Sequence, residues 1–173
     1  PMGAAYSDEG YAIISKSGKV LESKLNEAPA DIPVLLGLED EKFSVGSYIY
    51  SKNTDEKRQL NEKLQMIQHI VEEADAQQLN PLTYIHITDI NEIKVLYDRR
   101  ILIDFGGEID LNKKITFVQR VLADGIAKNH PLSGYTNDTF EGTIDITNRK
   151  QLHTRAISVD SVADARAFTV FED

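Results

Sequence analysis

Residues 83–122, TYIHITDINEIKVLYDRRILIDFGGEIDLNKKITFVQRVL, alternate apolar runs with polar breaks, and the breaks fall where a folded chain needs turns. The pattern predicts strands over residues 84–88, 93–97 and 101–105. Asp89 to Glu92 form the first turn, because Asp and Asn side chains bond readily to their own backbone. Asp98, Arg99 and Arg100 form a hairpin, and Gly106-Gly107 breaks the chain. Asp110 then caps a helix over about residues 111–128, with Leu111, Ile115, Val118 and Leu122 on its buried face and Phe117, Val121 and Ile126 beside it. His130-Pro131 stops it.

The same reading extends to both sides. Residues 10–15 (GYAIIS) and 20–22 are strands about a Ser17-Gly18-Lys19 turn. Pro29 and Pro33 force an extended path, followed by a strand over 34–38 and a weaker apolar segment over 43–50. Leu60, Leu64, Ile67, Val71 and Ala74 recur at spacings of four, three, four and three, which predicts a helix over about 55–77 that ends before Asn80-Pro81. Beyond a polar loop at 132–141, strands are expected over 142–147 and 151–157, and 167–171 is a last strand or an extended tail. The order β-β-α-β-β-β-α-β-β implies an α+β fold. Its expected architecture is a mixed, mostly antiparallel sheet with two main helices packed on one face. Residues 1–173 are expected to form one domain, with 158–173 a C-terminal extension or extra strand.

Composition narrows the function. Hydrophobic residues make up 41% of the chain, as in ordinary globular proteins. A net charge of −9 argues against nonspecific binding to nucleic acid or docking on anionic lipid. The absence of cysteine excludes a disulfide framework, a thiolate metal site and a cysteine nucleophile. No run of about 18 apolar residues spans a membrane. The Pro1-Met2 start reads as a boundary inside a longer protein.

Candidate chemistry is sparse. His69, His86, His130 and His153 have no metal-ligand spacing, and no GxSxG, P-loop or GxGxxG motif occurs. No cofactor, metal or catalytic residue is expected. Asp104, Glu108 and Asp110 flank the glycine pair. As an alternative function they would serve an extracytoplasmic ligand-binding or hydrolytic domain centred on Asp104 and Glu108. The plainer reading makes Asp110 a cap and Glu108 a complement to the helix dipole.

Four stretches carry a resemblance to one family: GYAIISKSGKVL at 10–21, IPVLLGL at 32–38, ILIDFGGEIDLNKKITF at 101–117 and GTIDIT at 142–147. In this order they resemble the β domain of the FtsQ/DivIB family of bacterial cell-division proteins. The resemblance implies a scaffold and no enzyme, on the extracytoplasmic side of the cell membrane at the division septum. A POTRA domain and a membrane helix would precede it. Its partners would be FtsB/DivIC-type and FtsL-type proteins, bound by adding a strand to the sheet edge. Carried onto this chain, the edge strand is Gln151, Leu152, His153, Thr154, Arg155, Ala156 and Ile157, and the basic residues at the helix start are Lys113 and Lys114. Of these, Lys114 is the better candidate for meeting an acidic partner. This strand lacks the aromatic residues common in the family, and the chain continues for 16 residues past Ile157. Residues 167–171 either pair with this edge and cover it or leave it open.

Overall fold

A computed structural model describes residues 1–38, 42–49, 58–87, 90–99, 101–128, 142–147 and 153–155. In chain order the elements are β1 (Gly3–Ser7), β2 (Gly10–Ile14), β3 (Val20–Leu25), β4 (Val34–Leu36), α1 (Arg58–Ala76), β5 (Leu82–Ile87), β6 (Ile93–Tyr97), β7 (Ile101–Gly106), α2 (Leu111–Lys128), β8 (Gly142–Asp145) and β9 (His153–Arg155). The strands form one sheet in the order β3-β2-β1-β4-β5-β6-β7-β8-β9.

The fold is α+β, as the sequence pattern implies, and the sheet is mixed. The β1–β2, β2–β3, β5–β6, β6–β7 and β8–β9 pairs are antiparallel, while β1–β4, β4–β5 and β7–β8 are parallel. Two of the parallel pairs have a simple cause. α1 lies between β4 and β5 in the chain and α2 between β7 and β8, so each helix carries the chain back for a strand of the same direction.

The helices meet one face of the sheet. Leu60, Leu64, Ile67, Val71 and Ala74 of α1 are all buried, as are Leu111, Ile115, Val118 and Leu122 of α2. They pack in one cluster with Leu35, Ile85, Val95, Ile103, Phe105 and Ile144, the alternate residues of the strands beneath them. Residues one position along point the other way. Val34, Leu36, Leu96 and Leu102 form a smaller cluster there with Tyr6, Tyr11, Ala28 and Tyr84. The segment after β3 arches over part of this second face. Ala28, Pro29 and Ile32 help line a cavity of about 580 Å³ with Tyr11, Tyr84 and Leu96.

Three details refine the sequence reading. The opening residues are a strand, β1, which pairs with β2 on one side and β4 on the other. Gly3 permits that approach, because a Cβ there would meet Leu35 Cγ at 2.7 Å and the Pro33 carbonyl oxygen at 2.8 Å. Residues 43–49 are not a regular strand. They meet the sheet at an isolated Lys19–Tyr48 bridge and through backbone hydrogen bonds to Val20, and are pinned by buried Phe43 and Ile49. Phe117 is 47% exposed, outside the buried stripe of α2. The expected first turn of α1 and the 167–171 strand lie outside the described residues.

Ile103 is fully buried beneath α2 in the main cluster, whereas Leu21 is 43% exposed. Ile103→Ala is expected to lower unfolding free energy by about 2–5 kcal/mol. Leu21→Ala is expected to stay within about 0.5 kcal/mol. Urea denaturation followed by far-UV circular dichroism checks both.

Candidate functional site

β9 is the last strand of the described sheet on its side. It pairs antiparallel with β8, with Asp145 opposite His153, Ile144 opposite Thr154 and Thr143 opposite Arg155. Among the described residues no strand pairs with its other edge. The expected strand over 151–157 is thus described at His153, Thr154 and Arg155. Gln151, Leu152, Ala156 and Ile157 lie outside the described residues, as does the expected cover at 167–171.

The opposite end of the sheet is built differently. β3 pairs with β2 through two register shifts, and Lys24 adopts a left-handed conformation (φ 60°). The 44–49 segment then closes the outer side near Val20. The Val20 N–H donates to the Ser47 carbonyl at 2.9 Å, and the Gly46 N–H donates to the Val20 carbonyl at 2.8 Å. Bulges and a covering segment are the usual ways to stop an edge from pairing with another chain.

The turn from β7 into α2 is held by a buried lysine. Lys114 is only 8% exposed. Its ammonium donates to the Phe105 carbonyl at 2.6 Å and the Gly107 carbonyl at 3.0 Å. From the same turn the Gly106 N–H donates to Asp104 Oδ1 at 2.9 Å. Gly106 itself is left-handed (φ 61°), and a Cβ there would meet the Thr147 side chain at 3.0 Å. Lys114 therefore holds the turn, and its charge is turned inward. Lys113 is the exposed lysine, paired at 2.9 Å with Asp110 three residues earlier. Ile109 (77% exposed) and Phe117 stand on the outside of the same region.

Burial pushes the Asp104 carboxyl above its ordinary value of 3.8. The Gly106 N–H and the charges of Lys94 and Lys114 oppose that rise, and the Asp145 carboxylate adds to it. Burial lowers the Lys114 ammonium below its ordinary 10.5, and Asp104 opposes that.

Glu108 lines a cleft of about 440 Å³ with Met66, His69, Asp110, Leu111, Asn112 and Lys113, where His69 Nε2 hydrogen-bonds Asn112 Oδ1. Asp104 is not part of that lining. Among the described residues no group of three His, Asp or Glu side chains is placed to hold a metal ion.

The one role that sequence reasoning missed is that of Lys114, and the signal was present. Lys114 falls three residues after Leu111 and four before Val118, inside the apolar stripe of α2. A lysine in a buried stripe must bring its charge to acceptors.

What fold and site define is an α+β domain with a mixed sheet, one blunted end and one end at β9. No protein-family model matches the chain, and no curated protein matches it.

Lys114→Met keeps the aliphatic stem and leaves two carbonyls without their donor. It is expected to cost about 1–3 kcal/mol of stability. Lys113→Met, at an exposed pair, is expected to change stability by less than about 1 kcal/mol. For Asp104 the sign is set by its raised value: the native state holds the proton where the unfolded chain has lost it. Its contribution to stability therefore falls as pH rises from 3.8 through the native value. Asp104→Asn is expected to flatten that part of the stability–pH curve, read by denaturant midpoints across the acid range.

Proposed function

We propose that this chain is an extracytoplasmic scaffold domain of a bacterial division protein, of the FtsQ/DivIB type. It binds FtsB/DivIC-type and FtsL-type partners at the septum by adding a partner strand to β9. The observation that carries the reading is the asymmetry of the sheet's two ends. β3 is bulged and partly covered, while β9 has no described partner on its outer side. An edge strand offers a row of N–H and C=O groups that an extended segment can satisfy, with alternate side chains giving specificity.

The four stretches that carry the sequence resemblance support the same reading. They fall on the β2–β3 hairpin, β4, the β7–α2 turn and β8, which are elements of packing and turning. Of the two lysines at the helix start, Lys113 is the exposed one, and an acidic partner would compete with Asp110 for it, whereas the Lys114 ammonium is committed to carbonyls. The position of β9 beside β8 links the edge to the β7–α2 turn.

Calorimetry against the extracytoplasmic segment of the FtsB/DivIC-type protein from the same cell tests the reading. Proline is placed in turn at His153, Thr154 and Arg155. The position whose N–H points away from β8 is expected to lose affinity at least about tenfold with little change in thermal stability, because proline removes the donor that a partner strand needs. Lys113→Glu is expected to weaken binding, more so at low salt. Equal binding by all three proline variants contradicts strand addition. Absence of binding by the unaltered chain contradicts the proposed partner.

A further inference from the structure

The sheet has a gap beneath the arch that follows β3. β5 pairs with β4 only from Tyr84 onward, where Val34 is opposite, so Leu82 and Thr83 extend past the start of β4. Among the described residues no strand lies beside them on that side. The chain that leads into β4 does not take the place. Pro29 and Pro33 have no N–H to give, and among the described residues no backbone hydrogen bond joins residues 26–32 to β5. The arch is held by packing instead, with Ala28 set against the apolar cluster of Val34, Leu36, Leu96 and Leu102.

Between arch and sheet lies the cavity of about 580 Å³, a size that accepts a small ligand or a few residues of a peptide. Tyr11, Val34, Tyr84 and Leu96 line it from the sheet, and Ala28, Pro29 and Ile32 from the arch. Its polar lining comes from two places. Thr83, Asp98 and Arg99 belong to the start of β5 and the β6–β7 hairpin, and the Arg99 N–H donates to the Thr83 hydroxyl at 3.1 Å, which ties the hairpin tip to β5. Asn26 and Glu27 belong to the start of the arch. Asp98 and Arg99 are chain neighbours of opposite charge and offset one another. Glu27 is exposed and makes no ion pair among the described residues. The balance of the lining is therefore negative, on a chain of net charge −9.

We propose that this gap is a docking site for an extended segment of a partner protein in which a basic residue neighbours an apolar one. The segment lies beside Leu82 and Thr83 and exchanges backbone hydrogen bonds with them, as a strand added to a short internal edge. Its apolar side chain rests on Val34, Tyr84 and Leu96, and its basic side chain meets Glu27. A neutral apolar molecule would use neither the β5 backbone nor Glu27, so the polar part of the lining points to a peptide. The site is separate from β9, which stands four strands further along the sheet, and it does not depend on what β9 binds.

An NMR titration of the whole chain tests the site with acetyl-Lys-Leu-Val-amide, acetyl-Glu-Leu-Val-amide and p-cresol, each taken to about 5 mM. The lysine peptide is expected to give saturable shifts of the Ala28, Leu82, Thr83 and Tyr84 amides. It is also expected to slow hydrogen exchange at whichever of the Leu82 and Thr83 amides is directed away from β6. The glutamate peptide is expected to bind roughly two- to fivefold more weakly, the size of one exposed charge pair. Glu27→Lys, a change at an exposed residue, is expected to reverse that order with little change in thermal stability. Absence of saturable shifts at these amides with the lysine peptide overturns the proposal. So does equal binding of the two peptides, an order that Glu27→Lys leaves unchanged, or a response to p-cresol alone. Shifts confined to His153, Thr154 and Arg155 would put the peptides at β9 and overturn it as well.

Discussion

An ammonium group buried at a turn must find acceptors there, and the Lys114 charge finds two in the Phe105 and Gly107 carbonyls. That requirement governs the end of the molecule where the candidate edge lies. It draws the first turn of α2 against the end of β7, and the Asp104 carboxylate takes the intervening Gly106 N–H from within β7. With the turn held from both sides, α2 lies over Ile103 and Phe105, and its far end returns the chain for β8 to run parallel to β7. β9 follows from β8. The position of the last described strand thus traces back to one buried cation and one left-handed glycine.

The two ends of the sheet answer the same physical problem in opposite ways. Any open sheet leaves unpaired backbone groups at both edges. At β3 the strand is bulged, Lys24 is left-handed, and the segment after Gly46 closes the side near Val20. At β9 the described chain offers no such device. Among the described residues, the β8–β9 ribbon joins the sheet at the β7–β8 seam, where Asp104 and Asp145 are opposite one another in register.

Much of this was legible in the sequence, for identifiable reasons. Both helices follow from spacings of three and four, and every residue named for the stripe of α1 is buried. The β6–β7 hairpin follows from two apolar runs around Asp98 and Arg99, both of which adopt left-handed conformations (φ 50° and 57°). β1 was not legible. GAAYS has little strand propensity of its own, and it is a strand because β2 and β4 pair with it from both sides. A mixed, mostly antiparallel sheet was expected, but which pairs are parallel was hidden for a similar reason. Hairpins announce antiparallel pairs through short turns, but a parallel pair joins strands that are distant in the chain, two of them here across a helix, and leaves no local mark. The inward turn of Lys114 was written in the α2 stripe, though its charge suggested an outward role. The Asp104–Asp145 pairing depends on register between strands about forty residues apart, which no local pattern encodes.

The central claim is that β9 presents an open edge. Amide exchange of His153, Thr154 and Arg155 in the free chain tests it most directly. An open edge predicts alternation, with amides directed at β8 protected and amides directed outward exchanging at nearly the unfolded rate. Protection of all three amides would mean that another part of the chain already occupies the edge, and it would contradict the claim.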